Sequence, residues 1–87
     1  MVIHFSNKPA KYTPNTTVAF LALVDGAEVE CEISVEALED HFDAPSMQGV
    51  DLVAAFEAHR TQIEAVARVK LPQRLPAGRC LLISDYF

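Results

Sequence analysis

Three sets of side chains in this sequence are capable of chemistry: His4, His41 and His59; Cys31 and Cys80; and Glu28, Glu30 and Glu32. The histidines are scattered. None pairs with another four residues away and no HExxH run occurs, so no metal ligand is assigned. The glutamates alternate, which on a strand places them along one side at roughly 7 Å intervals. A calcium ion needs about six to eight oxygens converging on a point, and a straight strand spreads them apart. A solvated acidic face is therefore expected. The cysteines lack CxxC spacing. Cys31 lies among glutamates and falls on the apolar side of its strand, and both features raise a thiol pKa. Cys80 follows Arg79, but neighbours on a strand point to opposite faces. Two buried, reduced thiols are expected. There is no G-x-S-x-G, no P-loop and no G-x-G-x-x-G, so neither a catalytic residue nor a cofactor is assigned.

Arg60 is the polar residue that asks for a reason. It lies four residues after Phe56 and three before Ile63, at the margin of an apolar helical stripe. His59 flanks that stripe, Glu64 follows four residues on, and Arg68 four beyond that. The bland expectation is that Arg60 lays its stem along the core and holds a carboxylate such as Glu36 or Asp40. The sharper one is an anion anchor, with Arg60, Glu64 and His59 as candidate binding residues.

These groups must be positioned by a short chain. Its 87 residues make a single domain, 1–87, with 51% hydrophobic and 22% charged residues, a globular balance. A net charge of −5 repels phosphate backbones, so nucleic acid is not an expected partner. The start, Met1-Val-Ile-His-Phe-Ser, does not read as a signal peptide. No stretch approaches the roughly 20 apolar residues that span a bilayer, so no membrane partner and a cytoplasmic location are expected.

The strongest local signal is a hairpin. Thr17 to Val24 is apolar and β-branched, and Ala27 to Ser34 alternates Val29, Cys31 and Ile33 with the three glutamates. Asp25-Gly26 between them suits a two-residue type I′ turn. That loop length fixes the register: Val24 faces Ala27, Ala22 faces Val29, Phe20 faces Cys31 and Val18 faces Ile33. Residues 2–5 read as a short strand and 6–16 as loop. Ser34 reads as the cap of a helix over 35–42. A longer helix is expected over 51–70, with Asp51 as cap and Pro72 as its stop. A turn is expected over 72–78 and a last strand over 79–84.

The resulting fold class is α+β: a small antiparallel or mixed sheet, made of the central hairpin and the C-terminal strand, packed on two helices as a two-layer sandwich. With helices on one side only, Leu21 and Leu23 face away from the core. If the last strand lies beside residues 17–24, Leu81 and Ile83 join them. These four are the candidate interface for a homodimer or a protein partner. The alternative is that residues 1–16 cover the patch through Ile3, Phe5 or Tyr12.

The runs Val24-Asp-Gly-Ala-Glu-Val-Glu-Cys-Glu-Ile-Ser, Glu36-Ala-Leu-Glu-Asp-His-Phe and Ala55-Phe-Glu-Ala-His-Arg-Thr-Gln-Ile-Glu-Ala-Val-Ala resemble a small bacterial family, the domain of unknown function numbered 1488. Gly78 to Phe87 looks like its closing strand. The resemblance implies a stand-alone α+β domain with no established activity, cofactor or catalytic residue. Among the positions matching it are Asp25, Gly26, Cys31, Ser34, Phe56, Arg60, Ile63 and Glu64. Turn, cap and core roles account for most of these, which leaves Arg60 and Glu64 as the polar pair folding does not fully explain. A non-enzymatic interaction module is the first functional reading, and a small-molecule or anion binder using Arg60 the second.

Overall fold

Alternation along two eight-residue segments generates the centre of the molecule. In the computed structural model, which describes residues 1–75 and 80–87, strand β3 (Thr17–Val24) and strand β4 (Ala27–Ser34) pair antiparallel in the register that the turn dictates. Phe20 sits opposite Cys31, and Val18 opposite Ile33. Asp25 (φ 50°) and Gly26 (φ 86°) both occupy the left-handed region that a type I′ turn demands. Nothing lies within 4 Å of a Cβ built on Gly26, so an alanine there meets a backbone penalty and no steric one. Gly26→Ala is expected to cost about 1 kcal/mol, read as a lower urea midpoint with an unchanged slope.

Two short strands share the free edge of β3. Strand β1 (Ile3–Phe5) pairs with residues 22–24, and strand β2 (Lys11–Thr13) pairs with residues 17–19. β2 falls in the stretch expected to be loop. Two prolines hid it, but both flank the three paired residues, at Pro9 and Pro14. On the other edge, strand β5 (Cys80–Leu82) runs parallel to β4, placing Cys31 opposite Cys80 and Ile33 opposite Leu82. The last strand therefore pairs with β4, not with residues 17–24. Of the turn expected over 72–78, residues 72–74 are helical instead, and 76–78, with Arg79 of that strand, lie outside the described residues. Among the described residues the sheet is mixed and five-stranded, α+β in class as expected.

Helix α1 (Val35–His41) starts at Ser34, whose Oγ accepts the Ala37 N–H at 3.2 Å. The single long helix expected next is two. Helix α2 (Gly49–Ala58) stops at His59, whose N–H reaches back three residues to the Phe56 carbonyl, and helix α3 (Arg60–Arg74) starts at once. Asp51 is not the cap. Gln48 holds that position, and Asp51 lies in the first turn, accepting the Ser46 hydroxyl at 2.6 Å. Gly49 lets the Tyr12 ring sit on the start of α2, where a Cβ would approach it to 3.2 Å. Pro72 lies inside α3 and does not stop it. Near the end of a helix it removes one backbone bond, while the Leu75 N–H still reaches the Leu71 carbonyl and Leu71 is fully buried.

All three helices bury residues in one core: Leu38 from α1, Leu52 and Phe56 from α2, and Ile63, Ala67 and Leu71 from α3. The sheet contributes Val18, Phe20, Ala22, Cys31, Ile33, Cys80 and Leu82. Phe20 and Phe56 join the layers, with ring centroids 5.0 Å apart. A 3-10 turn at Ser84–Tyr86 then sets the Tyr86 ring under Lys70, 4.4 Å from its Nζ, and the Tyr86 hydroxyl accepts from Arg74 Nη2. No helix among the described residues is long and apolar enough to cross a membrane.

Candidate functional site

Arg60 opens α3, immediately after the break, and this places its guanidinium beside the N-terminal segment. Nε donates to Glu64 at 2.9 Å, Nη1 to Glu57 at 3.0 Å, and Nη2 to the Ser6 carbonyl at 2.5 Å. The group also lies over the Phe56 ring, 5.3 Å from its centroid. Its carboxylate partners are thus Glu57 and Glu64 on α2 and α3, and neither Glu36 nor Asp40 of α1. Residues three and four apart along the helical run are its nearest neighbours and meet it first. Burial works against the Arg60 charge, but the hydrogen bonds it donates to Glu64 and Glu57 outweigh that and raise its pKa above the ordinary value. Glu57 also accepts the Ala10 N–H at 3.2 Å. Arg68, four residues beyond Glu64, does not join the cluster: it donates to the Ile3 carbonyl at 2.6 Å and lies over the Phe5 ring. Arg60 and Arg68 together pin the N-terminal segment to α3. His59 is not part of this cluster: its ring packs on Phe42, with centroids 5.1 Å apart.

The thiols meet. Cys31 and Cys80 are fully buried, unoxidised and directly opposite on adjacent strands. The hydrogen bond to Cys80, with burial, pushes the Cys31 thiol up. The same bond, with the nearby Arg74 charge, lowers Cys80 despite its burial. Cys80 is therefore the readier thiolate of the two, but it faces no solvent. In the folded protein, iodoacetamide labelling is expected to be slower than in urea by on the order of a hundredfold or more. Label should enter Cys80 before Cys31, because β5 is an edge strand of three residues. Fast, equal labelling of both under native conditions would contradict this burial.

One cluster escaped the sequence reading. Ser84 Oγ donates to Asp40 Oδ2 at 2.8 Å, and His41 Nε2 lies 3.2 Å from that Oγ and 3.1 Å from the Ser84 carbonyl. Serine, histidine and aspartate meet here, yet not as a hydrolytic triad. The carbonyl can only accept, so Nε2 carries the hydrogen, and the serine proton already goes to Asp40. The cluster fastens the C-terminal turn to α1. No local signal joins positions 40 and 84. Among the described residues no three histidines, cysteines or carboxylates gather as a metal site.

The sheet face turned away from the helices carries the remaining candidates. Leu21 and Leu23 are half-buried there, with Ala19 beside them. Leu81 is half-buried and Ile83 is 37% exposed, but both lie on the far side of β4. Because β5 pairs with β4, the glutamates separate Leu81 and Ile83 from Leu21 and Leu23, and the expected four-residue patch is divided. Ile3, Phe5 and Tyr12 do not cover it, although Lys8, Pro9 and Lys11 border Ala19 and Leu21. Ile3 is buried in the core, Phe5 packs against the core, and Tyr12 stands over α2. Glu28 and Glu30 are exposed as expected, whereas Glu32 is only 4% exposed and accepts the Thr17 hydroxyl at 2.6 Å. Thr17 in turn accepts from Thr13 at 2.7 Å. A groove of about 190 Å³ lies between Lys8, Lys11 and Glu30, floored by Ala19 and Leu21.

A family model matches residues 3–82 of the chain, and its description is a protein of unknown function. No curated protein and no solved structure matches the chain.

Proposed function

The chain belongs to that family, DUF1488, and from its own geometry we propose that it is a small non-enzymatic protein-interaction domain of the reducing cytosol, docking partners on the outer face of its sheet. One observation carries this reading: every helix packs on the inner face, while Ala19, Leu21, Leu23 and Leu81 on the outer face are left half-covered. Apolar side chains on an uncovered sheet face favour burial against a partner by about 25 cal/mol per Å². The two free thiols suit a reducing compartment. An anion site at Arg60, the other reading, has less support, because each of its three nitrogens already donates within the protein.

The test is site-specific photo-crosslinking in cells that produce the chain. A benzophenone amino acid replaces Leu21 or Leu81 on the outer face, or Val69 on α3 as a control. Discrete protein adducts at 21 and 81, and none at the exposed Val69, are expected. Adducts at all three positions alike, or at Val69 alone, would remove the sheet face as the docking surface.

A further inference from the structure

On the outer face, β3 and its two neighbours carry side chains in three columns fixed by the strand register, and Leu81 of β5 stands beyond the last of them. The middle column is apolar, Ala19, Leu21 and Leu23 on β3. On one side Lys11 stands opposite Ala19 and His4 opposite Leu23, with Lys8 on the rim of the groove. On the other side Glu30 stands opposite Leu21 and Glu28 opposite Leu23, both exposed, while Glu32 opposite Ala19 is buried and accepts the Thr17 hydroxyl. Base, hydrocarbon and acid thus run side by side, each column about 4.8 Å from the next.

We propose that the occupant of this face is a second copy of the same chain, packed face to face about a two-fold axis running along β3. This rests on the reading of the outer face as a protein-docking surface. Rotation about that axis leaves the apolar column facing itself and exchanges the two flanks. The flank of each copy that carries Lys8 and Lys11 then lies over the flank of the other that carries Glu28 and Glu30. A two-fold axis across the strands would instead set lysine on lysine and glutamate on glutamate. The charge pattern therefore selects one of the two symmetric packings, and it does so on both flanks at once. Stacked sheets lie about 10 Å apart, a gap that a lysine and a glutamate reaching from opposite sides can close. These pairs stay at the solvent-accessible rim, so they set orientation while the apolar column supplies most of the affinity.

The test uses two charge-reversed chains, Lys8→Glu/Lys11→Glu and Glu28→Lys/Glu30→Lys. All four positions are exposed, so both variants are expected to melt as the parent does. Light scattering at protein concentrations up to about 1 mM reads the mass. The parent is expected to double from 9.6 kDa. Each variant alone should dissociate, its dimer weakened on the order of a hundredfold or more by like charges on both flanks. An equal mixture of the two should recover the doubled mass. A parent that stays monomeric, variants that stay dimeric, or a mixture that does not recover would each overturn the proposal. If the parent is monomeric while positions 21 and 81 still crosslink to a different protein, the second copy is wrong and the docking face survives. If crosslinks also fail there, both fall.

Discussion

Phe56→Ala is expected to unfold a large part of the population at 37 °C. The side chain is fully buried, touches the Phe20 ring across the two layers and lies beneath the Arg60 guanidinium. Truncating a buried phenylalanine costs about 3–5 kcal/mol, from lost transfer energy and the cavity left behind. A domain of this length holds only about 5 kcal/mol in total. Far-UV circular dichroism against urea measures it. Phe56→Leu should retain most of the stability, because it keeps the cavity largely filled. An alanine variant with the parent's midpoint would mean that the sheet–helix contact is not where the fold is held.

Arg60→Ala is expected to lower stability by about 1–2 kcal/mol and, more tellingly, to do so unevenly. The lower part of the range for a stranded charge applies, since Glu57 and Glu64 keep 38% and 23% side-chain exposure and can rehydrate. The loss of the Ser6 contact and the release of Glu57 should free the connection between β1 and β2. Hydrogen exchange should therefore quicken first at the Ser6 and Ala10 amides, which the Leu21 carbonyl and Glu57 now hold. Arg60→Lys should rescue only in part, because an ammonium has no planar fork to serve three directions. Uniform loss of protection across β3 and β4 would instead assign Arg60 to global stability alone.

What could be read from the sequence was what local chemistry decides. The Asp25-Gly26 turn and the strict alternation after it specify the hairpin register without reference to the rest of the chain, and the Ser34 cap is equally local. The break at His59 carries no proline or glycine to mark it. It is set by tertiary contacts, the Phe42 ring against His59 and the Arg60 reach to Ser6. β2 is a strand because β3 offers it an open edge, and its three residues have little intrinsic pattern. That occupancy in turn decides β5. With β4 on one side of β3 and β1 and β2 on the other, the only edge of the hairpin left for β5 is that of β4. The candidate interface was misjoined for the same reason. The inward and outward assignment of Leu21, Leu23 and Leu81 followed from period two, but their neighbours followed from a strand order that periodicity does not encode.

The margins of the sheet carry a consequence for aggregation. Among the described residues, β1 and β2, of three residues each, lie along one margin, and β5, also of three, lies along part of the other. The first margin is interrupted by Pro9, which has no amide hydrogen to offer. An incoming chain seeking to extend the ladder on that first margin would find only short, separated runs of free donors and acceptors, a poor template for strand addition.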